Sequence, residues 1–418
     1  LNNRLDIIEN THDLRVQSTI CKHYHEIHCL GSAAATASIG SLDGTLGPLI
    51  SSNAKRFMNP SLNRRHFLQQ SLVTAASCNA VCQHGFGALQ RAPSDSTIAF
   101  FAIGDTHYFA NEKSPNSLDE TSLAVCRGLI DTMNGLPGTA IPEEAGGGTV
   151  GAIRGVMHAG DIIDTGDKRG ATQSIMQRTE WDGYIADYGL TGTEGRLKFP
   201  VFEVHGNHDS PGGDGLAIDG LIERNRRRNV TSISANGLHY SWDWGPLHCI
   251  HLGIVVGHDP SVSQKRRYNP MESFDFLIGD LQQHVGDSRR PVWLTHHVDV
   301  ARYSKGCDAT DEKNLGMEWN PCDVGAYYRA IEKANIVAIL YGHTHVRNIQ
   351  RWNGTPEKTA SGIQLLNVDN SSHFSGGNQA FFYIEVDATE LRVRECSTKD
   401  AWKSHFWTPT LWKIPIAS

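Results

Sequence analysis

The sequence predicts an α/β protein in which two β-sheets face each other with helices outside. Three observations carry this. Five apolar runs of strand length each end at once in Asp, Asn or His, as strands do when the loops at their C-terminal tips hold the polar groups of an α/β sheet. Early apolar runs alternate with helical stretches, the pattern of parallel strands joined by crossovers. From Gly237 the texture turns antiparallel: GLHYSWDW, the Gly245-Pro246 turn, then Leu247 to Val256 read as a hairpin that starts a second sheet.

The chain is organised around Phe199 to Asp209, FPVFEVHGNHD. Val201, Phe202 and Val204 make a short buried strand, and Gly206 ends it immediately before Asn207, His208 and Asp209. Ser96 to Gly104 runs likewise into Asp105, Thr106 and His107, and Gly155 to Gly160 into Asp161. Pro291 to Thr295 ends in His296 and His297, and Ile336 to Gly342 in His343, Thr344 and His345. The Asp, Asn and His side chains at these tips are oxygen or nitrogen metal ligands.

Between these strands, Leu118 to Met133, Gln173 to Tyr188, Leu221 to Asn229, Ser273 to Val285 and Val324 to Lys333 read as helices. Gly362 to Val368, Ala380 to Val386 and Leu391 to Arg394 read as three more strands of antiparallel character. Lys265, Arg266, Arg267 and Tyr268 form a basic loop, read as a solvated surface or as a grip on phosphate or a headgroup. Val298 to Asn320 is long for a loop and suggests a lid on the substrate side.

The set D-x-H, G-D, G-N-H-D, H, G-H-x-H resembles the calcineurin-like metallophosphoesterase superfamily, over roughly Ile98 to Val386. The resemblance implies a four-layer α-β-β-α sandwich of two mixed sheets flanked by helices. It implies a phosphoesterase that cleaves phosphate mono- or diesters with hydroxide generated at two metal ions, Mn, Fe or Zn. Residue by residue, the first ion would be held by Asp105, His107, Asp161 and His345. The second would take Asp161, Asn207, His296 and His343, with Asp161 as the bridge. Related sequences carry the ligand at the first histidine after the strand, which selects His296 over His297. His208 would stand beside the substrate as the catalytic histidine, with Asp209 orienting its ring and Asp164 supporting the site from behind. The alternatives are a phosphodiesterase of nucleotide or lipid-headgroup diesters, and a catalytically silent metal-binding module. Asp164-Thr165-Gly166 and Asp209 depart from the protein serine/threonine phosphatases, which have Asp-Arg-Gly and Glu there. Asp164 also stands where purple acid phosphatases have a tyrosine ligand.

Composition narrows the setting. The 418 residues are 39% hydrophobic with 41 glycines, which fits a loop-rich α/β protein, and no run of eighteen apolar residues predicts a transmembrane helix. Residues 1–91 hold eight of the 38 Lys/Arg and five of the 45 Asp/Glu, which leaves 30 and 40 and a net charge of −10 for the rest. An acidic body repels polyanions, so a nucleic-acid partner is not expected and a small phosphate ester must be captured locally.

The N-terminal segment has its own reading. Residues 1–57 show no sustained period and read as unstructured or as an upstream translation artefact. Residues 58–92, with Arg64-Arg65, Phe67, Leu68 and the apolar stretch Ser71 to Val81, resemble a bacterial twin-arginine export signal starting at Met58. Export to the periplasm or cell envelope follows from that segment alone. Cys78, after Ala75, Ala76 and Ser77, hints at a lipid anchor, though such a cysteine wants an apolar residue at Ala75. The metallophosphoesterase domain would span 96–396, with 397–418 a tail packing on it. Cys307 and Cys322 bracket a polar loop and would pair in an oxidising compartment.

Overall fold

The computed structural model describes residues 97–257, 266–302 and 318–416, apart from 358, 369 and 377. The twin-arginine segment and the residues before it lie outside the described residues, as do Lys265 and most of the expected lid.

In chain order the strands are β1 Ile98–Ile103, β2 Ala110–Asn111, β3 Ser114–Leu118, β4 Ile153–His158, β5 Val201–Glu203, β6 Ser232–Ile233, β7 Tyr240–Trp244 and β8 Leu247–His251. They continue with β9 Val292–Thr295, β10 Ile336–Tyr341, β11 Asn348–Trp352, β12 Ile363–Asn367, β13 Gln379–Val386, β14 Glu390–Thr398 and β15 Phe406–Pro415. The helices are α1 Glu120–Gly135, α2 Ala171–Tyr188, α3 Leu216–Arg227, α4 Ser273–Asp280 and α5 Pro321–Ile331. The expected helix Ser273 to Val285 changes character at Leu281, where a π-helical turn runs to Val285.

Two sheets result, ordered β15-β14-β13-β1-β4-β5 and β11-β12-β10-β9-β8-β7-β6. The first has a parallel half and an antiparallel half, and the second a parallel centre flanked by antiparallel strands. In the first, β1, β4 and β5 are parallel and β13 to β15 antiparallel. In the second, β8, β9, β10 and β12 are parallel, with β7 and β11 antiparallel at either side. The β7–β8 hairpin is where the sequence put it. The strand at Gly362, expected to be antiparallel, pairs antiparallel to β11 on one side and parallel to β10 on the other.

Side-chain alternation explains the layers. Phe100 and Ala102 of β1 face Trp242, Trp293 and Leu340 of the other sheet in a fully apolar middle, where Phe100 meets Trp293 edge to face at 5.1 Å. Phe101 and Ile103 point outward against Val125, Leu129 and Ile130 of α1, a helix started by Asp119, whose carboxylate accepts from the Thr121 and Ser122 N–H groups. Leu294 and Ile339 point outward against α4 and α5. The four-layer sandwich is therefore what the chain builds. Truncating Trp293 or Phe100 to alanine would cost about 3–5 kcal/mol.

Residues 397–418, expected as a tail laid on the domain, contain the edge strand β15, hydrogen-bonded along β14. Trp402 is buried beside it, and its indole N–H donates to the Ser371 carbonyl at 2.8 Å. No helix among the described residues is long and apolar enough to cross a membrane. Cys322 is disulfide-bonded, and Cys307, its expected partner, lies outside the described residues.

Candidate metal centre

The C-terminal tips of β1, β4 and β5 in one sheet and of β9 and β10 in the other meet at a single place. Asp105, His107, Asp161, His343 and His345 all adopt positive φ there, between 46° and 74°. Non-glycine residues pay for that conformation, and five of them at one spot mark a site whose backbone is held in place by its surroundings. Glycine makes the close approach possible: a Cβ at Gly206 would lie 2.2 Å from Asp161 Oδ1, and one at Gly342 2.3 Å from Asp105 Oδ2.

One donor set is Asp105, His107, Asp161 and His345, whose ligand atoms all lie within 4.8 Å of one another. His345 Nε2 is 3.4 Å from Asp105 Oδ1, and His107 Nε2 is 3.7 Å from Asp161 Oδ2. His107 Nδ1 is anchored on Asp164 Oδ1 at 3.1 Å, which leaves Nε2 buried, without a hydrogen-bond partner and aimed at the cluster. Burial holds His107 below its usual imidazole range despite Asp164 and Asp161, so the ring is neutral and offers a lone pair.

The second set corrects the sequence reading. His297, not His296, stands against Asp161 and Asn207: its Nε2 is 3.1 Å from Asp161 Oδ2 and 3.1 Å from Asn207 Oδ1. Its Nδ1 donates to the Ala159 carbonyl at 2.7 Å. His343 completes the set, with Nδ1 2.7 Å from Asn207 Oδ1. His296 is wholly buried on the other side of the chain, its ring against Trp319 and Tyr327 and both nitrogens without partners. Consecutive residues at a strand end point to opposite faces. His296 takes the apolar face and His297 the site.

Both carboxylates at the centre are ionised. Burial alone would raise Asp161, but His297, His208 and His107 outweigh it and hold the group well below the ordinary range. Burial would likewise raise Asp105, and the hydrogen bond and charge of His345 bring it down instead. Buried anions of this kind draw positive charge: against its own burial, His297 is raised to about 9, chiefly by Asp161. Two buried carboxylates, an amide oxygen and four imidazoles, one with an orphaned nitrogen, are a donor set that suits divalent metal ions.

His208 lies beside this cluster, its ring 4.8 Å from that of His107. Its backbone N–H donates to Asp161 Oδ1 at 2.8 Å, and its Nδ1 bonds the Asp164 carbonyl at 3.0 Å. Burial is outweighed by Asp161 and Asp164, so His208 sits above its usual range. Asp209 does not orient that ring, contrary to expectation. Its carboxylate instead accepts the Ile162 and Ile163 N–H groups, each at 3.0 Å, and the Gly206 N–H at 2.7 Å. It clamps the two loops that carry Asp161 and Asn207, and the His208 ring is set by the Asp164 backbone.

Two residues at the centre were not found from sequence. Glu318, in the expected lid, bonds His343 Nε2 at 3.0 Å. His373 packs edge-on against His107 at 4.4 Å and begins a ring stack with Phe374 and Phe109. Ser371 and Ser372 stitch its loop to Gly104 and Thr106 at the end of β1. Both Glu318 and His373 lie in irregular loops, where no periodicity singles out a residue. In the basic loop Arg266 pairs with Asp323, and Arg267, half exposed, lies 3.7 Å from Glu318; Lys265 lies outside the described residues.

Comparison with known proteins agrees with this construction. Residues 98–347, more than half of the chain, match the model of the family described as calcineurin-like phosphoesterase. No curated protein matches the chain by sequence. Among solved structures, a dimetal phosphatase from Danio rerio is similar at 12% identity and a TM-score of 0.45, covering 77% of this chain and 99% of that one. The purple acid phosphatase PPD1 of yellow lupin (Lupinus luteus) is similar at 13% identity and 0.45, covering 75% and 53%. GAP50, the anchor in the inner membrane complex of Plasmodium, is similar at 13% and 0.40, covering 77% and 90%. The likenesses of structure are distant, so membership rests on the sequence match, and with strand tips and donor residues falling inside the matched span the chain belongs to the calcineurin-like phosphoesterase family.

Proposed function

We propose that the protein hydrolyses small phosphate mono- or diesters with two metal ions, Mn, Fe or Zn, one held by Asp105, His107, Asp161 and His345 and the other by Asp161, Asn207, His297 and His343. The observation that carries this reading is the position of Asp161, whose Oδ2 faces His107 Nε2 on one side and His297 Nε2 on the other. Such a pair of ions, when bound, activates water and offsets the charge of the phosphoryl oxygens.

The chain's own groups do the rest. Asp161 Oδ1 accepts the His208 N–H and so ties the substrate-side histidine to the bridge. With Nδ1 on the Asp164 carbonyl, His208 presents Nε2 to an ester lying over the cluster. There it donates to a phosphoryl oxygen or passes a proton to the leaving alkoxide. Export by the twin-arginine route is part of this proposal and rests on the Arg64-Arg65 segment; a reporter fused after residue 92 should stay in the cytoplasm when both arginines become lysine.

The deciding experiment is hydrolysis of p-nitrophenyl phosphate and bis-p-nitrophenyl phosphate by the full chain with metal content read in parallel. Turnover should need two ions per chain and vanish with them in Asp161→Asn. His208→Asn should keep the ions and lose turnover by about 10²–10⁴-fold. The ratio of the two rates separates monoesterase from diesterase. Two ions without turnover would favour a silent module, and no bound ion would overturn the site.

A further inference from the structure

Resting on that reading of the site, we propose that Glu318 is a positioning residue for the second metal ion: it accepts a hydrogen bond from His343 Nε2–H and thereby makes Nδ1 the ligand nitrogen.

A neutral imidazole has one lone pair, and the acceptor on its other nitrogen decides which atom carries it. Three imidazoles of the cluster show such an anchor. His107 has Asp164 and His297 has the Ala159 carbonyl. For His343 the anchor is Glu318 Oε1, 3.0 Å from Nε2, while Nδ1 lies 2.7 Å from Asn207 Oδ1, and the residue shares a donor set with Asp161 and His297. A carboxylate anchor also makes the ring a better donor to a metal.

Glu318 is built into place. It is 7% exposed, and Arg302 binds its carboxylate through both Nε and Nη2, with Arg267 at 3.7 Å. The Glu318 and Trp319 N–H groups both donate to the Arg302 carbonyl at 3.2 Å, closing the neck of the loop. Trp319 then lies parallel to Tyr327 and edge-on to His296. The histidine expected as a ligand thus helps seat the peptide that carries Glu318. Glu318 itself belongs to no donor cluster among the described residues, so it acts through His343.

The test is Mn(II) titration of the full chain, read by chelator competition and by electron paramagnetic resonance, which distinguishes an exchange-coupled ion pair from isolated ions. Glu318→Ala should bind the first ion as wild type does and the second about 10–100-fold more weakly, with the coupled signal replaced by that of isolated Mn(II). Glu318→Gln, whose amide oxygen still accepts from Nε2–H, should recover the second ion to within a few-fold. The proposal is overturned if Glu318→Ala titrates like wild type, if both ions weaken equally, or if Glu318→Gln is as weak as alanine. Failure of wild type to bind a pair would instead overturn the functional reading on which the proposal stands.

Discussion

The two halves of the metal centre are built from different kinds of material. The first set is assembled at the tips of β1, β4 and β10, and its support comes from the loops that carry it. Asp105 accepts the His343 N–H with both oxygens. Asp164, three residues beyond Asp161, anchors His107. Glu180 of α2 accepts from Ala110 N–H and from the Thr165 N–H and hydroxyl, joining the loops that follow His107 and Asp161. The second set draws its histidines from the other sheet, and the anchor of His343 comes from the far end of a long connection. One half is braced by strand-tip loops and a helix, the other by the end of an irregular connection. The second ion should therefore be the easier one to lose.

The strongest challenge to that comparison is the neighbouring pair at the tip of β9. His297→Ala should lose the second ion and lower turnover by about a hundredfold or more, since even an anchoring partner is worth 10–100-fold. His296→Leu fills an apolar cavity with an apolar side chain and should keep both ions, with stability changed by about 1.5 kcal/mol or less. The reverse result, read by metal content and thermal unfolding, would restore the sequence-based assignment.

Gly342→Ala probes the first half. A Cβ 2.3 Å from Asp105 Oδ2 must displace that carboxylate, so first-ion affinity should fall about tenfold or more while the fold persists by circular dichroism. Equal loss of both ions would mean that the halves are not separately built.

The smallest effect on turnover concerns Glu180, whose carboxyl is raised by burial to about 7 from its ordinary 4.5. The folded state then keeps the proton that the unfolded chain releases. Its contribution is full below about pH 4.5 and is lost as pH rises through about 7, a swing of about 3 kcal/mol. Unfolding curves from pH 5 to 8 should show wild type losing stability relative to Glu180→Gln across that window. A pH-independent gap would remove Glu180 from the account.

Much of this was legible in the chain. An apolar run that stops at Gly-Asp, Gly-Asn-His or Gly-His reports both a strand and the chemistry at its tip, because backbone pleat and side-chain polarity are local properties. Hence Asp105, His107, Asp161, Asn207, His343 and His345 were named from sequence, and the structure brings them together. Asp209 was also noticed, but a carboxylate beside a histidine looks the same in one dimension whether it orients the ring or caps three backbone N–H groups.

The amino-acid order by itself determined the parallel pairing of β1 with β4, the two-sheet architecture and the residue types delivered to the strand ends, since each depends on hydrophobic period and on the turn residues next to it. Only the tertiary structure decided between His296 and His297. That choice turns on which face of β9 looks toward the first sheet and which toward Trp319 and Tyr327. It also decided that Glu318 meets His343 and that His373 meets His107. Such pairings join side chains far apart in sequence, and they exist only once both sheets have closed over a common core.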